Sequence, residues 1–262
     1  QFPLVHLRSE NNDLYENMNE FDSIPNVVYI IVEGLSDAYV NEYRGMKLMP
    51  FLNELKDESM YWSSCLTLGE RSFAVVGSSL GGLPYGDLGF TLLNRYPRHH
   101  SLVNLLGSKG FQTSFYTGQA SWFHKNGDFF HHNNVDKVYD QTDFGEEFSQ
   151  RKIIVGDDRF FWGYNDKDLF KLSLAQLNTS SKQPYFMTFF TGSTHSPFVI
   201  SDGAYYSQKL QLFKNKNNAD FISSNEKYLR TILFADDAIR DFIESYKKRD
   251  DYENTIFIIT GD

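Results

Sequence analysis

The chain predicts an α/β fold: a doubly wound, mostly parallel sheet with helices on both faces. Three observations lead there. Val27–Val32, Thr113–Tyr116, Tyr185–Phe190 and Thr255–Thr260 are short runs rich in β-branched and aromatic residues. Their nearly unbroken apolarity suits strands covered on both faces. Segments with helical spacing lie between them, and such alternation favours crossover connections within a parallel sheet. The third observation is bulk. At 262 residues, 41% hydrophobic and 16% aromatic, the chain can bury a large core and is too apolar for disorder.

In chain order, residues 1–24 are polar and weakly periodic and read as a linker, leaving 25–262 as one domain that opens with the strand Val27–Val32. Pro50 suits the first turn of a helix carrying Phe51, Leu52 and Leu55. Leu102, Leu105 and Leu106 precede Gly110, a helix stop, and Thr113–Tyr116 follows. Beyond Tyr185–Phe190, the Asn-rich stretch Lys214 to Asp220 reads as a surface loop. Leu229, Ile232, Ala235, Ile239, Phe242, Ile243 and Tyr246 then fall on one helical stripe, with Asp236, Asp237, Arg240 and Lys247 outside it. Thr255–Thr260 is the final strand.

Composition excludes several classes. Lys plus Arg number 25 against 34 Asp plus Glu, a net charge of -9, so no broad basic face exists to coat a nucleic acid. The single Cys65 rules out a disulfide framework and a cysteine-based zinc cluster. The longest aliphatic run, Val27–Val32, falls far short of the roughly 20 residues that cross a bilayer. Gln1 at one end, and Thr260-Gly261-Asp262 directly behind an apolar run at the other, read as the ends of a piece excised from a longer protein.

In open α/β sheets ligands gather beyond the carboxyl ends of the strands. Glu33-Gly34 follows the first strand, Thr191-Gly-Ser-Thr-His195-Ser-Pro197 follows Tyr185–Phe190, and Gly261-Asp262 follows the last. Two carboxylates and a histidine thus converge on one edge, a donor set suited to a hard or borderline divalent cation. Singly, each has a plainer reading as a helix cap, a solvated side chain or a hydrogen-bonded loop residue. Ser72, in Leu68-Gly-Glu-Arg-Ser72-Phe-Ala-Val-Val, is the candidate nucleophile. Opening a short helix, it combines a hydroxyl with free backbone amides, and a cation held by Glu33 and Asp262 could activate it. An N-cap with no chemistry remains the alternative. Gly77-Ser78-Ser79-Leu80-Gly81 matches the G-x-S-x-G nucleophile elbow, but Gly82 and Pro84 leave little room for the long helix that elbow needs. No nucleotide-binding glycine loop is present.

These segments resemble a known family. Asn26-Val-Val-Tyr-Ile-Ile-Val-Glu33-Gly34, Pro50-Phe-Leu-Asn-Glu-Leu, Gly69-Glu-Arg-Ser72 with Leu83-Pro84, Trp162-Gly163 with Asp166, Ser193-Thr-His195-Ser-Pro197-Phe198 and the closing Thr255 to Asp262 occur in unbroken order. The series resembles lipoteichoic acid synthases and related phosphoglycerol transferases of the alkaline phosphatase/sulfatase superfamily. The resemblance implies Glu33 and Asp262 as metal ligands, with Ser72 as both ligand and nucleophile. It implies His195 at the phosphoryl group or leaving oxygen, Trp162 lining a head-group pocket and Arg71 contacting phosphate. It further implies a divalent ion (Mn, Mg or Zn), an anionic phospholipid donor and a glycan or polyol acceptor. The whole protein would be anchored to a bacterial membrane through a region upstream of residues 1–24, its catalytic domain facing outward.

Two departures stand out. Ser72 replaces the family's usual Thr, which preserves a hydroxyl. The His expected after Asp262 falls beyond the sequence, so a chain ending there is expected to be incomplete, to bind metal poorly and to leave its own activity open. Cys65 lacks the Pro and Arg of the sulfatase signature, which disfavours sulfate ester hydrolysis. A phosphodiesterase or phosphatase outcome, a non-catalytic binding domain and a metal-free esterase through Ser79 are the alternatives. His124, His131 and His132 read as scattered surface histidines.

Overall fold

The computed structural model describes residues 23–67, 72–82, 98–156, 160–180 and 184–262. Most of the expected 1–24 linker, Arg71 and Leu83-Pro84 lie outside the described residues. The elements in chain order begin with β1 (Asn26–Val32), α1 (Asp37–Val40), β2 (Glu42–Tyr43), β3 (Met46–Lys47), α2 (Pro50–Leu55) and α3 (Phe73–Val75), which continues as a π-helical turn over Val76–Leu80. Next come α4 (Leu102–Ser108), β4 (Gln112–Thr117), α5 (Asn126–His132), β5 (Lys137–Tyr139), β6 (Ile153–Val155) and β7 (Phe160–Gly163). The last are α6 (Asp166–Ser180), β8 (Tyr185–Phe190), α7 (Gly203–Gln211), α8 (Ala219–Tyr246) and β9 (Thr255–Gly261).

A five-stranded sheet in the order β5-β4-β8-β1-β9 forms the centre, and every pairing in it is parallel. Val27 lies opposite Phe186 and Ile256, and Ile31 opposite Phe190 and Thr260. Alternating side chains fill both faces. Val28, Ile30, Val32, Met187 and Phe189 pack with Leu169 and Phe170 of α6 and Leu229, Ile232, Phe242 and Tyr246 of α8. Ile31, Phe115, Phe186 and Phe190 pack on the other side with Val75, Val76, Leu80, Val103 and Phe130. The doubly wound, parallel architecture expected from the strand runs is therefore the one observed, with all four expected strands in place.

The helices follow local rules. Ser101 caps α4 in a reciprocal box with Asn104, and Gly110 beyond its end has φ +90, a conformation that suits glycine. The ribbons β2/β3 and β6/β7 and the short edge strand β5 escape the sequence reading, because two to four residues carry too little period to register. Asp236 and Asp237, placed outside the apolar stripe of α8, are 1% and 3% exposed. The Phe51 and Leu52 amides at the start of α2 donate to Asp236, while Lys209, Arg240 and Tyr206 satisfy Asp237. Protein partners, not solvent, satisfy these carboxylates. No helix among the described residues is long and apolar enough to cross a membrane.

Candidate active site

Parallel strands deliver their carboxyl ends to one edge, and there the expected residues meet. Val32 of β1 pairs with Gly261 of β9, so Glu33 and Asp262 leave adjacent strands side by side. Gly34 takes φ +65, the left-handed region open to glycine, and its N–H donates to Asp262 Oδ1 at 2.6 Å. The Glu33 N–H donates to Thr191 Oγ1 at 3.1 Å, and the Thr194 hydroxyl donates to the Glu33 carbonyl. The loop after β8 thus grips the Glu33 backbone from both sides.

Ser72 comes from the opposite face of the sheet, immediately before α3, and its hydroxyl donates to Glu33 Oε1 at 3.4 Å. It makes no side-chain capping bond to its own helix, so the plain N-cap reading fails. Ser79 lies inside the π-helical turn, with its hydroxyl donating to the Val75 carbonyl at 2.6 Å. A helical turn, not a strand, leads into it, and the elbow reading fails with it.

Ser72, Glu33 and His195 line one cleft, open to solvent, together with Thr117, Gln119, Phe123, Asn126 and Trp162. The Trp162 ring stacks on His195, centroids 5.1 Å apart and planes 27° from parallel. Trp162 therefore walls the cleft instead of filling a core. Its position follows from a close backbone crossing: Gly163 has φ +132, and a Cβ there would meet the Gly118 carbonyl oxygen at 2.3 Å. His195 Nδ1 contacts the Ser196 carbonyl at 2.6 Å. A carbonyl can only accept, so Nδ1 carries the proton.

Charge at the site is unbalanced. Burial, followed by the neighbouring Asp262 carboxylate, pushes the Glu33 carboxyl up to about 9. Asp262 Oδ2 is buried with no hydrogen-bond partner among the described residues. Among the described residues lining the cleft, none is Lys or Arg. An orphaned carboxylate oxygen, a second carboxylate opposed by the first, and a hydroxyl form an oxygen donor set that fits a hard divalent cation. Among the described residues no His, Cys, Asp or Glu joins Glu33 and Asp262 as a third such ligand.

The sequence model of the sulfatase family matches residues 25–262. The chain belongs to the sulfatase family. Lipoteichoic acid synthase of Staphylococcus aureus (strain USA300) is 26% identical over 249 residues, covering 90% of this chain and 35% of that protein. The chain spans about a third of the length of such curated relatives. Among solved structures, the lipoteichoic acid synthase LtaP from Listeria monocytogenes superposes with a TM-score of 0.71 at 20% identity, over 90% of this chain and 55% of that one. The Streptococcus pyogenes phosphoglycerol transferase GacH, solved with sn-glycerol-1-phosphate, gives 0.61 at 15% identity, over 95% and 64%. At such identities these two likenesses speak for the fold alone.

Within this sulfatase-family site, four residues went unassigned in the sequence reading. Thr117 closes β4 and Gln119 lies just beyond it, so the strand-end rule would have found them. Asn126 opens α5 and carries no such signal. Asp166, noticed only within a W-G-x-x-D pattern, is wholly buried and accepts the Gly192 N–H at 2.9 Å and the Ser193 N–H at 3.2 Å.

Proposed function

We propose that this chain is the catalytic part of a divalent-metal-dependent phosphotransferase. It moves a phosphoglycerol, or a similar phospho-head group, from an anionic phospholipid to a hydroxyl of a glycan or polyol acceptor. The observation that carries this reading is the meeting of Ser72, Glu33 and Asp262, drawn from three distant segments, at one edge of the sheet. The relatives named lipoteichoic acid synthase and the glycerol-phosphate complex of the fold neighbour support the choice of head group.

Glu33, Asp262 and Ser72 would hold the cation (Mn, Mg or Zn). When bound, it supplies the positive charge that the described lining lacks and lowers the pKa of the serine hydroxyl. Ser72 Oγ attacks the phosphorus of the donor and forms a phospho-Ser72 intermediate as the diacylglycerol oxygen departs. Ionised Glu33, 3.4 Å from the hydroxyl, favours loss of its proton. His195, with Nδ1 committed to a carbonyl, keeps Nε2 for proton exchange with the leaving and then the attacking oxygen. Trp162 and Phe123 cover the head group. Arg71 precedes Ser72 in sequence and is assigned to phosphate contact. The acceptor hydroxyl then takes the phosphoglycerol group from phosphorylated Ser72, whose oxygen is the leaving group of this second step. The protein would work on the outer side of a bacterial membrane, where both the lipid and the acceptor are found.

The test uses the full-length protein, labelled phosphatidylglycerol and product analysis. Label should pass to the acceptor, stop in EDTA and resume with Mn²⁺. Ser72→Ala should reduce transfer by about a thousandfold or more. Label released only as free glycerol phosphate would convert the reading to a phosphodiesterase, and activity that survives EDTA or Ser72→Ala would end it.

A further inference from the structure

Asp166 opens α6, yet its carboxylate does not serve that helix. Oδ1 accepts the Gly192 and Ser193 amides at 2.9 and 3.2 Å, and Oδ2 approaches the Ser193 amide at 3.3 Å. In return the Asp166 N–H donates to Ser193 Oγ at 2.9 Å. Asn165 beside it takes the Asp168 amide and donates to Ser201 Oγ at 3.0 Å. The start of α6 is therefore laced to the loop that leaves β8.

Enclosing a carboxylate so completely is costly. No Lys or Arg pairs with it among the described residues, and burial pushes its pKa up to about 6. Stability alone would be served as well by an apolar side chain. The amides it fixes occupy a particular place. Gly192 and Ser193 sit between Thr191, which receives the Glu33 N–H, and Thr194, which donates to the Glu33 carbonyl. The Gly192 carbonyl accepts the His195 N–H at 3.1 Å, closing the turn that carries the imidazole.

The geometry points to Asp166 as a positioning residue: through the 191–195 loop it fixes the distance between the Glu33–Ser72 pair and His195, acting on both without touching the reacting atoms. This rests on the phosphotransferase reading for its consequence in turnover, but not for its consequence in loop order.

Asp166→Ala and Asp166→Asn are compared in the full-length protein by fragment-resolved amide hydrogen exchange and by steady-state kinetics. In the alanine variant, exchange in the fragments holding Gly192–His195 and Glu33 should quicken about tenfold while the centre of α8 keeps its protection. Its kcat should fall about a hundredfold, as misplacement near 1 Å produces, with KM for the phospholipid nearly unchanged. The asparagine variant retains one acceptor oxygen and should fall between alanine and wild type in both readouts. If the alanine variant does not fold, the asparagine variant decides by the same measurements. Wild-type exchange in the two fragments overturns the inference. So does a loosening spread evenly over the chain, or wild-type kcat in a folded variant. Exchange is read without substrate, so a wild-type protein that transfers nothing removes the proposed function and still leaves Asp166 to be judged.

Discussion

Glu33 is held in place by its own main chain, which two threonines clasp, while its side chain is opposed by Asp262. Its carboxyl normally titrates near 4.5, and in the fold it is pushed up to about 9. Between those values the folded protein binds a proton that the unfolded chain has released. Stability without a cation therefore declines as pH rises through this window, being fullest below the unfolded value. In EDTA, Tm should fall between pH 5 and pH 9, and fall less in Glu33→Gln. A divalent ion should raise Tm at pH 8 in the wild type and have little effect in the variant; equal slopes and equal responses would contradict the carboxylate conflict. Glu33 and Asp262 were legible in sequence because strand ends point to one edge, and Ser72 because a hydroxyl before a helix is a recognisable pattern. Asp166 was not, since its partners lie 26 and 27 positions away and nothing local announces that pairing.

Among the elements, α2 depends on another helix for its start. Its amides at Phe51 and Leu52, which no residue of its own can satisfy, donate to the two oxygens of Asp236 in α8 at 2.9 and 3.0 Å. Asp236→Ala should strand both donors in a buried setting and cost about 2 kcal/mol, read as a lower urea midpoint with unchanged m-value. A loss within experimental error would show that water reaches those amides. The sequence placed Asp236 only outside the apolar stripe of α8, because helical periodicity separates apolar from polar positions and cannot tell a solvated Asp from one serving a neighbour 185 positions away. The four long strands were readable for the converse reason: burial on both faces leaves almost no polar interruption. Trp162, on the short ribbon β6/β7, was readable as a residue but not as part of a strand.

Across the whole molecule the sheet separates two apolar layers. Phe242 belongs to one, packed on Phe170, Phe189 and Tyr246. Phe115 belongs to the other, stacked on Phe130 with centroids 4.0 Å apart. Phe115→Ala and Phe242→Ala should each cost about 3–5 kcal/mol. Having no ring partner in common, they should add within about 0.5 kcal/mol in the double variant; a large deviation in chemical denaturation would mean that the layers communicate through the strands. The parallel sheet has one more consequence. Gly34 and Asp262 are bonded across 228 positions of chain, and parallel neighbours form only after such long intervals have closed. A half-assembled molecule then holds neither the clasped acid nor its companion on the adjoining strand. The chemistry proposed for this edge would therefore wait for the last long-range closure, so the fold would work as a coincidence detector in a nascent or damaged polypeptide.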